Sequence, residues 1–393
     1  MHRRTLLARG GLAALALAAG GCSTRTTRPA AAPIPARRRP MTWLAPVNVS
    51  WERVIRTTVG LRPHRPSGFV LRAERFGEKL LVHNYGHGGA GWSLSWGTAT
   101  LAADMAMNHP ARRAAVIGAG IVGITAARVL QRRGFDVTIY SKALPPETTS
   151  NMALAGFTPT SGLVEFSQRT PEWVTQFQQA VDISYRQWQL LAGSRYGVTW
   201  IHNYNPTDDP AMARGTNLLM PEHIVEEREV LGPGEHPFPS PYAIRRNEMR
   251  FEPSIALDAL LGDVALFGGR VVVRSFDRPE DLAALPEPIV VNCTGLGAKA
   301  LFGDEQLVPL KGQLVALIPQ PEVGYATTGG INLERGTPGV FVHMMPRSDG
   351  IILGGTSQRD VWSLEPDDGE RKRVIEKHIE LFTAMRRPGN QTA

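Results

Sequence analysis

Cysteine is nearly missing from this chain: 393 residues contain only Cys22 and Cys293. Two thiols that far apart exclude a cysteine-rich zinc centre, and with Cys293 the one cysteine besides Cys22, no intrachain disulfide of the mature core is possible. No apolar run reaches the roughly 20 residues of a membrane-spanning helix. Acidic residues are absent from positions 1–40, which hold eight arginines, so 35 of the 43 basic residues face 36 acids in the remainder. The net charge of +7 therefore resides in the leader and is not the footprint of a nucleic-acid surface. There is no internal repeat. What is present, 42% hydrophobic and 20% charged, suits a globular chain long enough for two domains or one large α/β unit with an insertion.

"MHRRTLLARG" sets paired Arg3 and Arg4 ahead of a short apolar run from Leu12 to Ala19, the layout of an export signal. "HRRTLL" resembles a twin-arginine signal, which sends a folded, cofactor-loaded protein across a membrane. "LAAGGCS" resembles a lipoprotein cleavage site with Cys22 as the lipidated residue; ordinary cleavage or an uncleaved anchor is the alternative. Residues 1–22 are thus expected to be an export signal and 23–44, rich in Pro, Ala, Thr and Arg, a disordered linker. The expected location is the periplasm or the cell surface.

Beyond the linker, "SWERVIRTTVG" has helix-to-turn character, while "GFVLRAE" and "EKLLVHNYG" predict paired strands. "TATLAADMAMN" predicts a short helix. "PEWVTQFQQAVDISYRQWQLLAG" carries Trp173, Phe177, Val181, Tyr185 and Trp188 at helical spacing. From 190 to 260 the pattern breaks into short strands and Pro-rich turns. "GGRVVVRSF" and "EPIVVNCTG" predict buried strands, and "GQLVALIP", "GVFVHMMP" and "GIILGGT" alternate as antiparallel strands do. "DDGERKRVIEKHIELFTAM" predicts a charged amphipathic helix.

"RAAVIGAGIVGITAARVLQRRGFDVTIYS" predicts strand, glycine turn, helix and strand, the opening of a doubly wound sheet. Gly118, Gly120 and Gly123 stand in G-x-G-x-x-G spacing: the first for the tight turn, the second for backbone approach to a pyrophosphate, the third for close helix packing. That context points to a dinucleotide without settling which. The acid expected ~20 residues on, to hold the ribose, is replaced by Ser141 and Lys142. Lys142 suits the 2′-phosphate of NADP, or solvent, with Ser141 or backbone groups serving the ribose.

At this point the chain resembles the D-amino-acid oxidases, FAD enzymes that include D-aspartate oxidase. "YSKALPPETTS" resembles their segment after the second strand and implies flavin-nucleotide contacts at Thr148, Thr149 and Ser150. "LAGFTP" stands at the flavin-edge loop with Ala155 and Gly156; "VVRSF" implies an adenine contact at Val273; "VVNCTGLGA" places Thr294 and Gly295 beside the cofactor. "PLKGQ" resembles the family's "RGQ", with Lys311 for Arg, and "GIILGGTSQRDVW" resembles its strand and turn after the substrate-pocket strand. Ala119, Ile121 and Val122 join the cofactor set from the glycine loop. The last two hallmarks, "GLRPHRP" and "HNYGHGGAGWSLSWG", stand at the C-terminal end in the family and at the N-terminal end here. The resemblance therefore implies a circular permutation over roughly 45–385, with "MNHPAR" as the joining linker and new ends between "ELFTAM" and "NVSWERVIR".

The implied site has three candidate catalytic residues, Arg62, His343 and Gly89. Arg62, of "LRP", would pair bidentately with the substrate α-carboxylate, a surface salt bridge being the alternative; Arg65 is the runner-up for that clamp, read in preference as structural. His343 replaces a tyrosine, as an N–H donor, a protonated ring drawing the carboxylate, or a plain polar core residue. A second pocket tyrosine is missing, with Gly339 and Phe341 in its neighbourhood, and Arg335 either favours an acidic substrate side chain or is simply exposed. Gly88, Gly91, Trp92 and Ser93 are expected cofactor contacts on a glycine turn whose backbone N–H groups can stabilise negative charge on the flavin. His83 and His87 are four apart, but the glycines around them argue against a helix and so against a metal pair.

The expected fold class is α/β, with a Rossmann-like FAD-binding domain and a substrate domain built on a mixed, largely antiparallel sheet. The expected division is a permuted C-terminal block at 45–110, an FAD-binding Rossmann unit at 111–165, substrate-domain parts at 166–268 and 301–385, an FAD-binding part at 269–300, and a tail at 386–393. The expected reaction is FAD-dependent oxidation of a D-amino acid or related amine acid by hydride transfer, with molecular oxygen or another electron acceptor as partner. The alternatives are a flavin dehydrogenase using an acceptor other than oxygen, and a catalytically silent FAD-fold binding protein.

Overall fold

The structure, a computed structural model, describes residues 39–214, 219–221, 223–224, 227–331 and 340–387. The export signal, Cys22 and most of the expected linker lie outside the described residues, as do Arg335 and Gly339. The linker's last residues are tied down where disorder was expected. Thr42 N–H donates to the Glu235 carbonyl at 3.0 Å, and Leu44 and Ala45 pack against an apolar cluster.

"SWERVIRTTVG" is a strand, not a helix: after one 3-10 turn at Trp51–Arg53 it runs as β1, Val54–His64. Its Val, Ile and Thr side chains are stiff at χ1 and suit a pleated surface. β2 (Val70–Phe76) and β3 (Lys79–Tyr85) form the expected antiparallel pair. α1 spans Gly91–Met107, longer than expected because "GWSLSWG" joins it. Two glycines lower its intrinsic propensity, but eleven of its 17 residues are buried, and packing outweighs propensity.

The nucleotide-loop region follows as β4 (Arg113–Ile117), α2 (Ile121–Arg132) and β5 (Asp136–Ser141). α3 (Pro171–Leu190) starts on Thr170, whose side chain accepts from the Trp173 N–H, with Pro171 in the first turn. It crosses α1 so closely that a Cβ on Gly97 would lie 1.9 Å from the Ala180 carbonyl oxygen. The chain continues through β6 (Val198–Thr207), β7 (Arg228–Leu231), β8 (Tyr242–Phe251), α4 (Pro253–Leu266) and β9 (Arg270–Val273). Then come α5 (Pro279–Ala283), β10 (Ile289–Asn292), α6 (Gly297–Phe302), β11 (Val308–Leu317) and β12 (Tyr325–Ile331). β13 (Val340–Arg347), β14 (Gly350–Gly354), β15 (Gln358–Arg359) and the charged α7 (Asp368–Thr383) complete it.

These strands form two sheets. The first has the order β2-β3-β10-β4-β5-β9 and is parallel except for β2. From one edge, β9-β5-β4-β10-β3 follows the 3-2-1-4-5 order of a doubly wound nucleotide fold. β3 fills the fifth place although it precedes β4 in the chain. The strand β9 is not buried as expected: it is the edge of this sheet, and Val273 is 67% exposed. The second sheet runs β1-β11-β14-β13-β12-β6-β8-β7, with β15 on β11, and is antiparallel except where β6 meets β12. The fold class is thus α/β, a Rossmann-like sheet beside a mixed, largely antiparallel one.

The two faces of the second sheet have separate duties. Tyr204, Val315, Met344 and Leu353 pack against Val374, Ile375 and Phe382 of α7. Because side chains alternate along a strand, His343 of β13, Thr328 of β12 and Arg246 and Glu248 of β8 turn to the other face, where they line a cavity.

Candidate active site

The glycine loop is shaped by contacts only glycine permits. Gly118 has φ +114°, and a Cβ there would lie 2.5 Å from the Cys293 carbonyl oxygen; a Cβ on Gly123 would lie 2.0 Å from the Gly118 carbonyl oxygen. Two serine hydroxyls finish the loop: Ser141 Oγ accepts from Ala119 N–H at 3.1 Å, and Ser150 Oγ from Ile121 N–H at 3.0 Å. The first turn of α2 is thereby tied to the end of β5 and to the segment at 148–152.

A cavity of about 980 Å³ runs from this loop to the face of the second sheet. Its wall contains Gly118, Ala119, Gly120, Ile121, Val122, Ser141, Thr148, Thr149 and Ser150, then Ala155, Gly156, Thr294 and Gly295. It also contains Gly88, Gly89, Gly91 and Trp92 ahead of the loop in sequence, together with Arg62 and His343. Three expected contacts do not line it. Gly123 is wedged against the loop itself, and Ser93 Oγ accepts from Thr158 N–H at 2.8 Å inside the core. Val273 ends the edge strand with its side chain outward, and the residues after it, Arg274 to Asp277, line the cavity instead.

The side chain of Asn84 tests whether this cavity suits a polar cofactor. Asn84 is fully buried and lines the cavity, yet its Nδ2 and Oδ1 have no hydrogen-bond partner. An amide left unpaired costs about 1–3 kcal/mol, so this position fits a bound molecule that supplies both a donor and an acceptor. A dinucleotide with an amide-bearing ring answers that need. Asn84 was missed as a site residue, although it sits inside the quoted "HNYGHGG".

Thr294 is positioned by a relay of polar groups. Its N–H and Oγ1 both donate to Asn292 Oδ1, at 3.1 and 2.7 Å. Asn292 Nδ2 faces His83 Nδ1 at 3.0 Å, and His83 Nε2 faces Glu74 Oε1 at 3.1 Å. The amide donates to Nδ1, so the imidazole proton lies on Nε2 and is donated to the carboxylate. His87 instead bonds Thr98 and stacks on Phe69, so the two histidines serve different partners and share no helix.

The turn before α1 differs from expectation in one respect. Gly88 N–H donates to the Pro63 carbonyl at 2.8 Å and Gly89 N–H to the Ser161 carbonyl at 2.9 Å, so neither is open to a ligand. Those bonds hold the turn rigid. The open positive end is the first turn of α1, whose N-cap Ala90 supplies no side-chain cap and whose Gly91 and Trp92 line the cavity.

Arg62 projects from β1 into this cavity. Its Nε donates to the Leu310 carbonyl at 3.1 Å, and one terminal nitrogen donates to the Thr356 carbonyl at 3.2 Å and Ser357 Oγ at 3.0 Å. All three acceptors are neutral, and among the described residues no carboxylate pairs with it. Burial pushes its pKa down from the usual range, and a guanidinium nevertheless stays charged. Arg65, by contrast, is paired with Asp304 at 2.9 Å. Lys311 is buried on the Glu365 carbonyl and does not line the cavity.

His343 lies near Arg62, packed over Gly354. Burial first, then the charges of His378 and Arg62, push its pKa down to about 3. The ring is therefore neutral, which removes the protonated reading and leaves an imidazole whose Nδ1 has no partner. Burial likewise lowers His87 to about 3 and His378 to about 4. Such groups contribute stability that is complete above the ordinary imidazole pKa near 6.5 and is lost as pH falls, because the unfolded chain takes up protons that the folded one refuses. Each costs about 1.4 kcal/mol per pH unit in that range. Urea unfolding midpoints are expected to drop steeply from pH 6.5 to pH 5, and less steeply in His87→Gln. Equal slopes in the two proteins would show that His87 is not held neutral.

Over residues 113–392 the chain matches the DAO family, described as FAD dependent oxidoreductase. It is 27% identical over 290 residues to a D-amino-acid oxidase of Rubrobacter xylanophilus, covering 70% of this chain and 78% of that protein. Human D-aspartate oxidase is 26% identical over 280 residues, covering 70% and 76%. Among solved structures, glycine oxidase from Geobacillus kaustophilus aligns with a TM-score of 0.51 at 18% identity, covering 70% of this chain and 80% of that one, a likeness of fold.

Proposed function

The chain belongs to the DAO family of FAD-dependent oxidoreductases, amino-acid oxidases and dehydrogenases among them, and from that premise we propose that it oxidises a D-amino acid or related amine acid. The substrate loses hydride from Cα and a proton from nitrogen, and the resulting imine hydrolyses to a keto acid and ammonia. Oxygen takes the electrons and becomes hydrogen peroxide. The observation that carries this reading is Arg62, a charged guanidinium on the cavity wall held only by neutral acceptors. A planar fork in that setting is made for a carboxylate.

Bound in the cavity, FAD supplies the two-electron acceptor. The residues fitted to hold it are the glycine loop at 118–122, Ser141, Thr148 to Ser150, Thr294, Asn84 and the first turn of α1 at Gly91 and Trp92. The remaining work is orientation: Arg62 fixes the carboxylate, and neutral His343 adds a hydrogen bond without competing as an acid.

The early block is proposed to be the family's closing segment moved to the front. Two facts support this: the family match begins at Arg113, and β3 occupies the fifth place of a sheet order in which it comes first in sequence. The leader is proposed to export the protein to the periplasm or cell surface, with Cys22 as a lipid anchor.

The test is anaerobic bleaching of the purified protein's flavin by D- and L-amino acids. Bleaching by D-amino acids, followed by peroxide release on admitting air, is expected. Protein-bound flavin that no amino acid bleaches would overturn the reading in favour of a silent binding protein. Bleaching without reoxidation by oxygen would assign a dehydrogenase.

A further inference from the structure

The cavity has a second polar pole. On β8, Glu248 is 3% exposed and lines the cavity beside Gly156, close enough that a Cβ on Gly156 would meet its Oε1 at 2.1 Å. Its Oε2 accepts from Asn203 Nδ2 at 2.6 Å and from Arg246 at 3.2 Å. No hydrogen bond reaches Oε1 among the described residues. Asn203 Nδ2 also donates to Thr328 Oγ1 at 2.9 Å, and its Oδ1 is buried without a partner. The group left open on the cavity wall is thus a carboxylate oxygen of Glu248, an acceptor that lacks a donor, while Asn203 stands behind it and does not line the cavity.

Position decides which donor. His343, near Arg62, stands on β13, and β12 and β6 lie between it and β8. Three strand spacings are about 14 Å across the sheet. That is a separation of backbones, which the side chains shorten, but Arg62 lies three strands further on, on β1, so the α-amino group of a substrate whose carboxylate is on Arg62 stays beside that carboxylate at the Arg62 end of the cavity. The far end of a long side chain is the part of such a substrate that extends toward Glu248.

We propose that Glu248, oriented by Asn203, selects amino-acid substrates carrying a second cationic group, an amine or guanidine, at the end of the side chain. This rests on the amino-acid oxidase reading and deepens it. Arg246 lines the cavity too, but its charge is already engaged with Glu248.

The probe is a pair of ligands that cannot be oxidised at Cα: 6-aminohexanoate, with a carboxylate and a distal ammonium, and hexanoate, with the carboxylate alone. Calorimetric titration of the flavin-loaded wild-type protein is expected to show 6-aminohexanoate binding at least roughly tenfold tighter. Glu248→Gln, an isosteric neutral change, should bring the two within about threefold of each other while hexanoate affinity holds. In turnover, D-lysine should exceed D-norleucine in kcat/KM by a similar factor, lost in the same variant. Equal binding of the two ligands by wild-type protein overturns the proposal, and needs no variant to fold. Oxidation of D-norleucine but not D-lysine overturns it while leaving the oxidase reading intact. Failure of every amino acid to bleach the flavin removes both.

Discussion

Arg62→Ala is expected to lower kcat/KM for the preferred substrate by roughly 30- to 5,000-fold, the equivalent of about 2–5 kcal/mol. The range follows from removing one partner of a desolvated charge pair, which leaves the substrate carboxylate in a cavity with no cation in its place. The loss should divide between KM and kcat, because the same contact that binds the carboxylate aligns Cα for hydride departure. Flavin content should be unchanged. Arg62 is held by the Leu310 carbonyl, Thr356 and Ser357, none of which belongs to the glycine loop. Arg62→Lys should recover part of the binding, since it restores the charge but not the planar fork. Wild-type KM and rate in Arg62→Ala would remove this residue from the site.

The second large effect falls on the cofactor. Gly123→Ala puts a methyl group 2.0 Å from the Gly118 carbonyl oxygen and 2.9 Å from its carbon. Both partners are backbone, so no side chain can rotate away, and α2 must back off from the loop. That movement breaks the Ile121–Ser150 bond and widens the turn at Gly118. The expected result is a purified protein retaining less than roughly a tenth of its flavin, with stability lower by about 1–3 kcal/mol. The flavin-to-protein absorbance ratio and a thermal melt measure both. Gly262→Ala is the control: it lies in α4 with nothing within 4 Å of the added methyl, and should keep its flavin. Full flavin content in Gly123→Ala would show that the helix does not need to sit so close.

Much of this site was legible along the chain because its parts are local. A glycine turn needs its glycines at fixed offsets, so "VIGAGIVG" reads directly as strand, turn and helix. "HNYGHGGAGWSLSWG" and "VVNCTG" are likewise short stretches, and about half of their residues line the cavity. The misreadings came where neighbours in space outvoted neighbours in sequence. α1 absorbed two glycines because α3 needs Gly97 to pass, and β9 became an exposed edge because only β5 pairs with it.

The sequence by itself determined the nucleotide loop and the fold class, which rest on backbone conformations that a few adjacent residues dictate, while the flavin came from the resemblance to a family and not from the loop. Tertiary structure alone decided the substrate cavity. Arg62, His343 and Glu248 come from β1, β13 and β8, and only the pairing of the strands sets them around one space, with Asn203 of β6 behind Glu248. Whether a histidine is neutral, which amide is already spent and which carboxylate oxygen is open are properties of that enclosure. They depend on what each group touches after folding, and no spacing along the chain encodes them.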